Sequence, residues 1–382
     1  MPNANSESSG PIRRQVWKMD KAGSMDRLKL TTEELPPPGP GEVRVRVKAV
    51  GLNFADVFAI LGLYSATPDG EFIPGLEYAG VVEEIGRGRS RGGRGRGRGG
   101  RGRDEKDGRD RGRGGSRFQI GDRVMGVTRF GAYASHINID ARYLQPLPQK
   151  WEFDEGAAYL TQGMTAYYAL KRLGDIQQGD AVLVHSAAGG VGLLAIEMIK
   201  KLRGRIVATV GDESKIDFLI KQAGLRKNQI ILRNERTFGA DLDQALKGIE
   251  RDGFALVLDS VSGAFYKPSY DSLLPAGRHV IFGSAGFMPT GKSPNWLRLA
   301  MHYLRRPRLD PLDMMSENKS LMAFNLIWLY ERVQDFHDMV REMNQMRLPP
   351  PHVGHHFDFE DARAAIQLFK SGKTVGKVVL EF

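Results

Sequence analysis

Residues 181–192, AVLVHSAAGGVG, run from a continuous apolar stretch into a glycine-rich turn, and the helical spacing of GGVGLLAIEMIKKL (189–202) follows at once. This junction limits the possible folds more than any other feature. An unbroken apolar run suits a strand covered on both faces, the condition of a parallel sheet. The pattern then repeats. RIVATVG (205–211) reads as a second strand, SKIDFLIKQAG (214–224) as a helix closed by Gly224, and QIIL (229–232) as a third strand. ALVLDSV (255–261) and RHVIFGSAG (278–286) read as further strands. Alternation at this spacing predicts an α/β doubly wound parallel sheet, which binds ligands beyond the carboxyl ends of its strands.

The turn reads Ser186-Ala187-Ala188-Gly189-Gly190-Val191-Gly192, with Ala187 where the strict G-x-G-x-x-G fingerprint has its first glycine. Glycines let the backbone approach a pyrophosphate, and the helix start offers free N–H groups and a positive dipole end. Ala188, Gly189, Gly190, Val191 and Gly192 are therefore candidate dinucleotide contacts; a ligand-free tight turn is the competing reading. An NAD site usually carries Asp or Glu at the end of the second strand. Here that strand ends at Gly211, which leaves room for a 2′-phosphate, with Lys215 a turn later and Arg233 at the end of the third strand. Two cations near a dianion favour NADPH. Asp212 could still take an NAD ribose, and each cation could be a solvated surface charge.

The flanking segments differ in rhythm. Residues 11–164 are rich in strand signals, such as the alternating GEVRVRVKAVGLN (41–53) after the loop PPPGPG (36–41). The end of the chain holds an amphipathic helix, EDARAAIQLFK (360–370), and a closing strand, TVGKVVLEF (374–382). Between GLEYAGVVEEIG (75–86) and FQIGDRVMG (118–126) lies an RG-rich stretch, 87–117, with 12 Arg, one Lys, 12 Gly and four acidic residues. Nine of the chain's ten net positive charges lie there, so the remainder is nearly neutral. Without large apolar side chains it cannot repay chain entropy, and it is expected to be a disordered insert at a loop tip. Arginines spaced by glycine suit phosphate contacts, so RNA is a possible partner, against a repeat expansion with no role.

Zero cysteines exclude disulfides, iron–sulfur clusters, thiolate zinc sites and a cysteine nucleophile. No apolar run reaches 18 residues, and MPNANSESSG (1–10) reads as a disordered tail rather than a targeting signal, so a cytoplasmic location is expected. His352, His355 and His356 cluster in PHVGHHFDF without the helical face of a metal site.

Taken with the glycine turn, VKAVGLNFADVFAILGLY, GDRVMG, LTQGMTAYYAL, DSVSG and TVGKVVL resemble the zinc-free quinone oxidoreductases, the zeta-crystallin-like branch of the medium-chain dehydrogenase/reductase superfamily. LDPLDMMSENKSLMAFNLIWLYE (309–331) is similar to its VAT-1-like subgroup. The resemblance implies a GroES-like β-barrel domain from 11–164 and 310–382, split around a Rossmann domain at 165–309, and a homodimer. It implies NADPH-dependent reduction of quinones or conjugated carbonyls. Asn53 and Tyr64 match positions lining the nicotinamide and substrate cleft, where they could hydrogen-bond the substrate oxygen. Thr165 matches a residue near the nicotinamide, and Phe282 and Gly283 a loop near its ribose. Gly211, Lys215 and Arg233 fall at the 2′-phosphate, where many members have Tyr instead of Arg233. Zinc-dependent relatives carry a Cys and a G-H-E His where this chain has the segment of Asn53 and Gly75-Leu76-Glu77, so no metal is expected. Asp259 and Ser260 end a strand at the ligand edge, as cofactor contacts or as a helix cap. The alternative reading is a cofactor-binding protein of low turnover with an RNA-binding or vesicle-associated role; an enoyl-thioester reductase is a third.

Overall fold

The computed structural model describes residues 10–86, 117–289, 291–304 and 308–382, the side chains at 298 and 302 excepted. The expected tail at 1–10 and RG-rich insert at 87–117 lie outside the described residues, apart from Gly10 and Arg117.

The first part of the chain supplies strands β1 (Ile12–Met19), β2 (Leu28–Leu35), β3 (Glu42–Gly51), β4 (Glu77–Ile85), β5 (Arg123–Val127), β6 (His136–Asp140) and β7 (Leu144–Pro146). The middle supplies β8 (Ala181–Val184), β9 (Arg205–Val210), β10 (Ile230–Leu232), β11 (Phe254–Asp259), β12 (Leu273–Ile281) and β13 (Ser320–Ala323). The chain closes with β14 (Val353–Asp358) and β15 (Lys377–Glu381). β1 and β2 form an antiparallel pair. A seven-stranded sheet runs β14-β15-β3-β4-β5-β7, with β6 on β3. Residues from both ends of the chain thus complete the GroES-like domain, because β15 pairs antiparallel with β3.

The other sheet runs β10-β9-β8-β11-β12-β13, all parallel. This order reverses direction between β8 and β11, which opens a crevice at the carboxyl ends of those strands. β8 shows why the sheet needs cover on both sides. Val182 and Val184 join the core shared with the barrel strands, while Ala181 and Leu183 join a second core with Phe238, Leu242 and Phe254. The sheet also extends past the boundary expected at residue 309. β13 pairs with β12 from Arg278↔Ser320 to Ile281↔Ala323, and its four residues are too short and too mixed for periodicity to mark them. Among the described residues no helix is long and apolar enough to cross a membrane.

Candidate active site

The glycine turn leaves β8 with Ser186 in the left-handed region (φ 49°) and caps the helix Gly190–Lys201 through Gly189. Ala187 N–H donates to Thr209 O at 3.0 Å, tying the turn to β9. A Cβ on Gly192 would lie 2.6 Å from Ser186 O, so the helix packs closely under the turn only because this residue is glycine. Ala187, at the position of the fingerprint's first glycine, has its side chain fully buried in the core.

The turn opens onto a cavity of ≈ 1150 Å³ between the two domains. The site residues expected from the sequence, from Asn53 and Tyr64 to Phe282 and Gly283, line this cavity, as does Ser260, while Asp259 does not. At one end lie Gly211, Lys215 and Arg233. Lys215 is 9% exposed, donates to Gly372 O at 2.5 Å, and has its pKa lowered, chiefly by burial. Arg233 donates to Thr209 Oγ1 at 3.0 Å, and its guanidinium lies 5.6 Å over the Phe265 ring. Burial pulls its pKa down to about 10, which still leaves it charged at neutral pH. Asp212 turns back on its own chain, accepting from Ser214 N and Oγ at 2.9 and 2.6 Å.

Lys373 lines the same end and was not anticipated from sequence, because its turn (371–376) is far away in the chain. Two contacts bring it there. Gly376 N–H donates to Ala188 O at 2.8 Å, and Lys215 holds Gly372 O. Gly376 has φ 64°, and a Cβ there would lie 2.4 Å from His352 O.

The opposite end is lined by Phe58, Tyr143, Phe324, Tyr330, Phe336 and Met339. Tyr143 and Tyr330 stack at 4.0 Å. Tyr64 donates to Asn325 Oδ1 at 2.7 Å, and burial pushes its hydroxyl pKa up to about 12. Thr165 Oγ1 donates to Thr161 O at 2.7 Å, within the helix Leu160–Tyr167.

Asn53 differs from expectation. Its Nδ2 donates to Gly51 O at 3.2 Å and to Glu77 Oε1 at 3.1 Å, and its Oδ1 accepts from Lys377 Nζ at 2.9 Å. Both amide protons are engaged by protein oxygens, so the residue organises the cavity wall rather than offering a hydrogen bond. Lys377 also pairs with Glu77, and both are buried. With its amide oriented to satisfy both ends, Gln162 accepts from Lys377 at 3.1 Å and donates to Ala158 O at 3.2 Å. Thr161 N–H donates to Glu77 Oε2 at 3.0 Å. An ammonium group therefore fills the polar centre around Glu77. A cation held by protein oxygens, with an amide and Leu76 in place of Cys and His, does not fit a zinc site.

The C-terminal histidines do not converge. His352 packs on Phe218, His355 accepts from Val375 N–H, and His356 faces Glu381 at 3.0 Å. Among the described residues, Asp154, His356 and Glu381 form the one group of three possible metal ligands, with His356 and Glu381 exposed. Asp259 serves its own loop, accepting from Val261 N and Ser262 N at 2.8 Å and facing His279 at 3.0 Å.

Comparison with known proteins agrees with this architecture. Residues 39–149 match the alcohol dehydrogenase GroES-like domain family, and residues 227–380 the zinc-binding dehydrogenase family. The human synaptic vesicle membrane protein VAT-1 homolog is 30% identical over 364 residues, 94% of this chain and 84% of that protein. A mycobacterial structure, Rv1454c complexed with NADPH, is 26% identical with a TM-score of 0.75, covering 96% of this chain and all of that one. A quinone oxidoreductase from Pseudomonas syringae pv. Tomato DC3000 is 25% identical with a TM-score of 0.75, covering 97% of this chain and 100% of that one. A doubly wound sheet of order 3-2-1-4-5-6, a GroES-like domain built from both chain ends, and these relatives together show that the chain belongs to the medium-chain dehydrogenase/reductase superfamily.

Proposed function

We propose that this protein is a cytoplasmic, zinc-independent oxidoreductase that uses NADPH to reduce quinones or α,β-unsaturated carbonyl compounds. The observation that carries this reading is one cavity with a glycine turn and three cations at one end and an aromatic, apolar chamber at the other. NADPH, when bound, supplies hydride, the chemistry that a quinone or enone accepts without a strong Lewis acid.

The chain's own residues bind and orient. Ala188, Gly189, Gly190, Val191 and Gly192 would hold the pyrophosphate through main-chain N–H groups and the helix N-terminus. Gly211 leaves space for the 2′-phosphate, and Lys215, Arg233 and Lys373 supply charge to it. Thr165, Phe282 and Gly283 would flank the nicotinamide half. Asn53, clamped by Lys377 and Glu77, shapes the wall, and Tyr64 stands at the substrate side. The aromatic chamber excludes water from the reacting atoms. The product's last proton comes from water. The neighbours' printed activities, a quinone oxidoreductase and an NADPH complex, support the same reading. A homodimer also fits this reading.

Two measurements test it. Fluorescence titration is expected to give tighter binding of NADPH than NADH, and tighter NADH binding rejects the coenzyme assignment. Steady-state NADPH oxidation with a quinone and alkenone panel is expected to give saturable turnover. Saturable binding without turnover on any of them selects the alternative, a cofactor-binding interaction protein.

A further inference from the structure

We infer that Asn325 is the residue that hydrogen-bonds the substrate's oxygen, and that Tyr64 is the positioning residue that aims it. The inference rests on the hydride chemistry proposed above and names the donor that chemistry needs. As hydride adds to an electrophilic centre, the substrate's π pair moves onto oxygen, which water then protonates. A fixed donor at that oxygen stabilises the charge as it builds.

Most polar side chains at this end of the cavity have their protons engaged. Asn53 donates to Gly51 O and Glu77, Thr165 to Thr161 O, and Thr128 to Phe130 O. Tyr143 donates to Tyr330 O, and Tyr64 to Asn325 Oδ1. That last bond decides the geometry. A tyrosine hydroxyl that donates to the amide oxygen leaves the two Nδ2 protons as the amide's remaining hydrogen-bonding groups. No acceptor for Nδ2 stands among the described residues, and Asn325 lines the cavity. A tyrosine hydroxyl is protonated through the neutral range, and burial raises the Tyr64 pKa further, so the bond persists.

The backbone fixes where those protons are. Asn325 follows β13 and precedes the short 3₁₀ turn Leu326–Leu329, with Trp328 N–H on its carbonyl at 3.2 Å. Phe324 N–H donates to Ile281 O at 3.1 Å, which sets Asn325 alongside Phe282 and Gly283 at the carboxyl edge of the sheet. Tyr64 comes from the GroES-like domain, so the pair also joins the two walls of the cleft.

The test uses the full-length protein saturated with NADP⁺ and 4-nitrophenol as an oxyanion mimic, its ionisation read by absorbance. Wild type is expected to bind the phenolate roughly 10-fold more tightly than Asn325→Leu. The isosteric Asn325→Asp is expected to favour the neutral phenol, with NADPH affinity unchanged in both variants. Tyr64→Phe is expected to lose less, and to add nothing in the Asn325→Leu background, as coupled residues do. In turnover, Asn325→Leu is expected to lower kcat for quinones roughly 100-fold. Unchanged phenolate affinity in Asn325→Leu overturns the assignment, as does a wild type that binds NADPH but not the phenol. Loss in Tyr330→Phe but not in Asn325→Leu transfers the role to Tyr330. A wild type that takes up no coenzyme overturns the underlying function instead.

Discussion

Lys377 Nζ donates to Asn53 Oδ1 at 2.9 Å from a position with no solvent exposure, and pairs there with Glu77. The contact joins the last strand of the chain to the loop after β3, more than 300 residues earlier. Breaking one member of a buried ion pair strands the other, at a cost of about 3–5 kcal/mol. Lys377→Met should therefore lose about that much stability in urea unfolding. The double variant Lys377→Met with Glu77→Leu should recover much of it, because no charge is then left buried alone.

Asp56 provides a pH dependence of opposite sense to most carboxylates. It is fully buried, accepting from Asn53 N–H at 2.9 Å, and burial raises its pKa from 3.8 to about 7. The folded state therefore binds more protons than the unfolded chain between those values. The stability this contributes is present below 3.8 and is lost as pH rises through about 7. Asp56→Asn keeps the acceptor without the charge. It should stabilise the protein at a pH of about 8, by up to about 4 kcal/mol, and have little effect at a pH of about 4. Thermal unfolding across that range measures it.

The cationic end of the cavity should set coenzyme choice. Lys215→Ala and Arg233→Ala are each expected to weaken NADPH binding by about tenfold or more, with a smaller effect on NADH. Lys373→Ala, at an exposed position, should lose only a few-fold, and that loss should fade with added salt. Isothermal titration at two ionic strengths separates the three.

Gly192→Ala should damage both the fold and the cofactor site. The added methyl meets Ser186 O and Ala187 O at 2.6 and 2.7 Å, backbone atoms that cannot step aside. A stability loss of about 1–3 kcal/mol is expected by chemical denaturation, with weakened uptake of either reduced coenzyme.

The doubly wound sheet was legible because each of its early elements carries its own pattern. AVLV in β8 is apolar throughout since both faces are covered, and the glycines after it announce the turn. The same locality made Gly211, Lys215 and Arg233 readable, as each ends or follows a patterned strand. Asn53 was legible as a cleft residue but not as one whose amide is already engaged, for its partners Glu77 and Lys377 lie in other elements. β13, four residues long, had no period to read. Local periodicity and turn chemistry thus determined which elements form and where a dinucleotide turn lies. Tertiary structure alone decided that Lys373 and Asn325 reach that cavity, and that Lys377 holds Asn53 from behind its wall. Strand pairing and cross-domain hydrogen bonds depend on contacts between distant segments, and no short window of residues records those.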